Sequence, residues 1–176
     1  MEKKEYIPIK DYAMRDGTWL GIIWILCFAS FISQLSNPSM SFIWLAMSIF
    51  SLGFAFIRVK KFGRLICSGG LSFGRAWLYA ITMFVCASLL MAIGAYVYFA
   101  FLDNGFVADT YTHIFESDEY KELLKVYQAD EKMWKEIVGS LYGMRPIEWT
   151  FNILSTNIML GMILSPLVAI YAKNKL

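Results

Sequence analysis

Four long runs without a charged side chain constrain this sequence more than any other feature. They cover about residues 17–35, 40–57, 76–102 and 149–172. A helix needs about 20 apolar residues to cross the hydrocarbon core of a bilayer, and lipid offers no partner to unpaired backbone groups. We therefore predict an all-α, polytopic membrane protein with four transmembrane helices, and we treat residues 1–176 as a single membrane domain.

The segment between the second and third runs predicts the orientation of the chain. This segment, residues 58–75, contains no acid and five basic residues, which are Arg58, Lys60, Lys61, Arg64 and Arg75. Short basic loops stay in the cytoplasm. The tail of residues 1–16 and the last four residues carry further bases beside the first and fourth runs. We therefore expect both termini and the basic segment to lie in the cytoplasm.

The acidic stretch of residues 103–148 contains ten acids against five bases and separates the third and fourth runs. Its apolar residues from Tyr120 to Leu141 recur at helical spacing, which indicates amphipathic helix. Asp118 and Asp130 stand where the N-caps of two helices are expected. We predict an extracytoplasmic helical hairpin between spans three and four, with a single helix as the alternative.

Small or polar residues recur every four positions on two of the predicted spans. Gly17 and Gly21 begin the first span, and Asn157, Gly161 and Ser165 follow one another on the fourth. Stripes of this kind let helix backbones approach closely, which favours association inside lipid. We interpret them as helix-packing residues of a four-helix bundle. The alternative is an interface with a second copy or with a partner protein.

A polar cluster in the fourth span gives a candidate ligand-lining site, formed by Asn152, Thr156 and Asn157. Polar groups at this depth must face protein or water, and Pro166 further along the span should kink the helix and free a carbonyl. Two interpretations remain open. The cluster lines a path for a substrate or lipid headgroup, or it forms hydrogen bonds between helices.

The basic segment is also a candidate binding site for membrane lipids or for a protein partner. Two of its five cations, Arg64 and Arg75, flank Gly69, Gly70 and Gly74, and glycine-rich backbone next to a helix start is a common site for anions. The alternative is a plain turn that leads into the third span. Because the bases of the whole chain are spread over several loops, we expect no nucleic-acid partner.

No Asp, Glu, Lys, Arg or His lies within the four runs, and no acid, base and nucleophile are clustered elsewhere. Proton-coupled transporters and intramembrane hydrolases normally keep an ionisable group in the membrane. His113 is the sole histidine and has no second histidine or cysteine near it in the sequence. We therefore expect no enzyme activity, no catalytic residue, no cofactor and no bound metal.

The order of these features, with the motif LSFGRAW before the third span, resembles a known group of proteins. Gly70, Ser72 and Phe73 belong to the stretch that carries the resemblance. The chain is similar to the uncharacterised four-span membrane proteins that are common in Bacteroidota and catalogued as a domain of unknown function. The resemblance implies a bacterial inner-membrane protein without established functional residues. It also implies a gene neighbourhood with a polyprenyl-phosphate glycosyltransferase.

These observations together favour association over catalysis. We expect a non-catalytic accessory or anchoring subunit of a membrane-linked enzyme, which the resemblance suggests is an envelope glycolipid or polyprenyl-phosphate glycosyltransferase. The alternative function is a homo-oligomeric transporter or channel for a small molecule or lipid. The two differ in whether the protein binds a foreign subunit or a second copy of itself.

Overall fold

The structure is a computed structural model that describes residues 9–66, 71–118, 120–122, 136 and 139–174. The five helices with defined bounds in this part of the chain are α1 (Ile9–Ser36), α2 (Ser41–Ile66), α3 (Phe73–Phe101), α4 (Phe106–Glu116) and α5 (Pro146–Asn174). A short 3₁₀ helix, Pro38–Met40, joins α1 to α2. The described residues contain no strand. The all-α prediction is confirmed.

Four of these helices, α1, α2, α3 and α5, are long and apolar enough to cross a membrane. α3 is the central one, since it packs along α1 on one side and along α5 on the other. α2 lies against α1 and more lightly against α5, so the helices form a ring in the order α1, α2, α5, α3. α3 is the most buried of the four spans and α2 the least buried.

The core is concentrated in one half of the bundle. Its buried residues come from the start of α1, the end of α2, the start of α3 and the end of α5, and we call this the basic end. The largest apolar side chains that are fully buried there are Leu20, Val59, Tyr79, Met83, Phe84 and Val168. At the opposite end, α3 and α5 meet through stacked rings of Phe99 and Trp149, with centroids 5.1 Å apart.

The helices extend beyond the apolar runs that predicted them. α1 begins at Ile9 rather than near Gly17, and α2 continues to Ile66 rather than ending near residue 57. Hydropathy marks the part of a helix that suits lipid, whereas helical hydrogen bonding continues as long as the next turn is packed. The first turns of α1 are packed, because Ala13 is completely buried.

The predicted helix-packing glycines lie where helices approach closely. A Cβ atom on Gly17 would lie 2.6 Å from the Met83 carbonyl oxygen of α3, and one on Gly21 would lie 2.9 Å from Leu90 Cβ. On α5, a Cβ atom on Gly161 would lie 2.8 Å from Phe84 Cβ. Both glycine stretches therefore face α3 from inside the same chain.

The acidic stretch begins with a helix that the sequence analysis did not predict. α4 follows a tight turn in which Gly105 has a φ of 84°. The Asp103 carboxylate accepts hydrogen bonds from the Gly105 and Val107 backbone N–H groups, both at 3.2 Å. The predicted hairpin falls mainly on residues outside the described part, and so do Gly69 and Gly70 of the basic segment.

Candidate functional site

A buried carboxylate lies at the basic end of the bundle. Asp16 belongs to the second turn of α1, and the residue is only 1% exposed. Its carboxylate accepts a hydrogen bond from the Tyr79 hydroxyl of α3 and another from the Arg58 guanidinium of α2. We call these three residues the Asp16 cluster. One side chain from each of three helices therefore meets at a single carboxylate.

The surroundings of the Asp16 cluster are aromatic on one side and polar on the other. The Phe62 ring stacks on Tyr79, with centroids 4.3 Å apart. Arg15 Nε lies 3.9 Å from the Asp16 Oδ1 atom, and its side chain is mostly exposed. The cluster therefore contains a partly buried ion pair. One of its donors, the N–H group at Arg58 Nε, is buried and has no hydrogen-bond partner among the described residues.

Sequence reasoning missed the Asp16 cluster, although a signal was present. Asp16 directly precedes the first apolar run and Arg58 directly follows the second. Two consecutive helices joined by a tight turn run antiparallel, so those two positions come to the same level of the bundle. An acid and a base at the matching ends of a predicted hairpin therefore indicate an ion pair between its helices.

The Asp16 cluster is suited to holding helices together. Among the described residues, no group of three or more histidine, cysteine, aspartate or glutamate side chains could hold a metal ion. Burying a charge in an apolar interior costs free energy unless the charge is paired and hydrogen-bonded. Asp16 satisfies both conditions, with Arg58 as its counter-charge and Tyr79 as a second donor.

The five predicted basic residues separate in the structure. Arg58 turns into the Asp16 cluster, and Arg75 is exposed in the first turn of α3. The remaining three, Lys60, Lys61 and Arg64, line a groove of about 370 Å³ between α2 and α5. Its other walls are apolar or aromatic and belong to Phe56, Ile57 and Tyr171. We call this the basic groove.

The predicted ligand-lining residues of α5 do not share one surface. Asn152 and Thr156 are exposed on the outside of the bundle, one helical turn apart, while Asn157 is half-buried. The two exposed side chains form no hydrogen bond within the described part of the chain. The outer face of α5, defined by Asn152 and Thr156, therefore presents two unsatisfied polar groups.

Ser165, nine residues after Thr156 on α5, contacts α3 and not the outside of the bundle. It is completely buried, and its hydroxyl accepts a hydrogen bond from the indole N–H of Trp77 on α3 at 3.0 Å. The same hydroxyl donates to the Met162 carbonyl at 3.2 Å. Ser165 and Gly161 thus lie on the side of α5 that packs against α3.

Four long apolar helices packed in a ring, with charge concentrated at their ends, define a polytopic helical membrane protein. The chain belongs to the DUF4199 family, described as a protein of unknown function, which it matches over residues 15–174. The predicted resemblance to a family of unknown function is confirmed by this match. No curated protein and no solved structure matches the chain.

Proposed function

We propose that this protein is a non-catalytic subunit that acts by association within a membrane, as an accessory or anchor for a membrane-linked enzyme. The proposal includes a bacterial inner membrane, with both termini in the cytoplasm. The resemblance described above favours an enzyme of envelope glycolipid assembly, such as a polyprenyl-phosphate glycosyltransferase. The bundle would position that enzyme through contacts between transmembrane helices.

The observation that supports this proposal most is the state of the Thr156 hydroxyl. Of the six threonines in the chain, five donate a hydrogen bond to the carbonyl four residues earlier in their own helix, and these are Thr18, Thr82, Thr110, Thr112 and Thr150. Thr156 makes no such bond within the described residues. It lies ten residues into α5, or about 15 Å along the helix axis.

Lipid offers no hydrogen-bond partner to an exposed hydroxyl at that depth. Polar side chains in transmembrane helices commonly hydrogen-bond across helix interfaces. Asn152 lies on the same side of α5, one turn closer to its start, and is also exposed. A transmembrane helix of another subunit, packed on the outer face of α5, would supply partners for both groups.

The alternative is a homo-oligomeric transporter in which the same residues line a path between copies. The exposed position of Asn152 and Thr156 would suit that arrangement as well. Asn157, however, is half-buried and on the same side of α5 as Gly161. A path lined by all three polar residues would need α5 to rotate about its axis, so we rank transport second.

Photo-crosslinking inside the native membrane tests the association. A photoreactive amino acid would replace Thr156 in one variant and Leu78, an exposed apolar residue of α3, in a control. We expect a discrete adduct with a different protein from position 156 and none from position 78. An adduct between two copies of the chain would favour the transporter, and adducts with lipid alone at both positions would contradict both functions.

A further inference from the structure

The basic groove concentrates positive charge that no acid among the described residues balances. None of Lys60, Lys61 and Arg64 forms a salt bridge with any described residue. Asp16, the buried acid at the same end of the bundle, already pairs with Arg58. Lys60 and Arg64 are four residues apart on one helix, and like charges at that spacing repel each other. A cluster of this kind suits an anion from outside the chain.

One of the three cations, Lys60, has a defined contact within the groove. Lys60 Nζ is 6.0 Å from the centroid of the Tyr171 ring, which is a cation–π distance. Phe56 packs edge-on against the same ring, with centroids 5.1 Å apart. The Tyr171 ring of α5 therefore contacts both Phe56 and Lys60 of α2. A volume of about 370 Å³ is within the range of small-ligand pockets.

The position of the groove distinguishes a lipid from a soluble anion. It lies near the ends of two membrane-crossing helices, where the phosphates of a bilayer are found. Ile57 on its wall is 65% exposed, and Leu167 and Ile170 continue an exposed apolar surface along α5. A ligand with its phosphate among the three cations can therefore lay a hydrocarbon chain along the outside of the bundle.

We propose that the basic groove binds the phosphate-bearing headgroup of a membrane lipid with a net negative charge. Lys60, Lys61 and Arg64 contact the phosphate, and the lipid chain lies against Ile57 and the outer residues of α5. This site requires only that the helices are inserted in a membrane, so it goes beyond the proposed accessory function. We therefore expect the groove to bind lipid whether or not the protein has a partner enzyme.

The test measures binding of a fluorescent short-chain phosphatidylglycerol to the purified full-length chain in non-ionic detergent, followed by fluorescence anisotropy. A cation near a membrane surface contributes about fivefold to the affinity for an anionic lipid. We therefore expect R64Q to weaken binding about fivefold and K60Q/K61Q/R64Q to weaken it roughly a hundredfold. R75Q is the matched control, because Arg75 is an exposed arginine that does not line the groove.

The controls distinguish a specific lipid site from non-specific binding to positive charge and from a site for free phosphate. R75Q should change binding less than twofold, and neither phosphatidylcholine nor inorganic phosphate should displace the probe. Equal losses in R64Q and R75Q would overturn the proposal, and so would displacement by inorganic phosphate as effective as by unlabelled phosphatidylglycerol. Thermal unfolding of each variant, followed by circular dichroism, verifies the fold. If the triple variant does not fold, the comparison of R64Q with R75Q tests the proposal by itself.

Discussion

The hydroxyl of Tyr79 on α3 donates a hydrogen bond to the carboxylate of Asp16 on α1, across 63 positions of the sequence. Arg58 of α2 reaches the other oxygen of the same carboxylate. The bond is therefore part of a three-helix junction rather than a local contact. Because Asp16 and Tyr79 are both almost completely inaccessible, water cannot replace either partner when one is removed.

Removing the charge of Asp16 should destabilise the bundle. In D16N, Arg58 loses its counter-charge while remaining mostly covered, and breaking a buried pair in this way costs about 3–5 kcal/mol. We expect about 3 kcal/mol, because the Arg58 side chain is 22% exposed and water partly screens it. The measurement is unfolding in mixed micelles followed by circular dichroism.

Asp11 provides the control for this prediction, since it is an exposed acid in the first turn of the same helix. D11N should change the free energy of unfolding by no more than about 0.5 kcal/mol. The double variant D16N/R58M should lose less stability than the sum of the single variants, because the two residues interact directly. Additive losses would show that the ion pair does not stabilise the fold.

Removing the Tyr79 hydroxyl should destabilise the protein less than removing the charge of Asp16. Y79F keeps the ring that stacks on Phe62 and deletes one hydrogen bond to a charged acceptor, a loss of about 1.5–3 kcal/mol. Y96F on the same helix is the control, because Tyr96 is 43% exposed. Equal unfolding free energies for the two variants would contradict a structural role for the Tyr79 hydroxyl.

The contact between α1 and α3 should tolerate no side chain at Gly17. G17A places a methyl group against the Met83 carbonyl and Cys86 Cβ, and such overpacking costs about 1–3 kcal/mol. G53A on α2 is the control, since a Cβ atom there meets nothing within 4 Å. Alanine in that open helical position should be neutral or stabilise by up to about 1 kcal/mol. A stable G17A protein would mean that α1 and α3 are further apart than the structure shows.

The proposed orientation predicts which parts of the chain face the cytoplasm. The basic end of the bundle should be cytoplasmic, because basic residues flank the membrane on that side. We expect green fluorescent protein fused to the C-terminus to fluoresce in a bacterial host. Alkaline phosphatase fused after Gly143, in the acidic stretch, should be active. The opposite pattern in both fusions would reverse the orientation.

The sequence was sufficient for the architecture because the signal for a membrane span is long and strong. Uncharged runs predicted four apolar helices, and the structure has helices at all four places. The four-residue spacing on α1 and α5 also predicts that Gly17 and Gly161 are packing residues, and both lie against α3. Glycine is informative here because close backbone approach leaves no room for any larger side chain.

The candidate sites were harder to predict, for two physical reasons. Hydropathy ends a span at the first charge, so it places Asp16 in the N-terminal tail and Arg58 in the basic segment, although both lie inside helices. The rotation of a membrane helix is also poorly encoded, because lipid and helix neighbours are both apolar. Nothing in the spacing of Asn152, Thr156 and Asn157 showed that two face outward and one is half-buried.

If the outer face of α5 binds another protein, native mass spectrometry of the complex in mild detergent will detect it. We expect one foreign membrane subunit in a fixed ratio to this chain. T156V should weaken that complex about fivefold, whereas T82V should not, because the Thr82 hydroxyl already bonds the Leu78 carbonyl at 2.8 Å. A closed homo-oligomer, a monomer without a foreign subunit, or a complex that is as stable in T156V as in the wild type would contradict binding of a partner at this face.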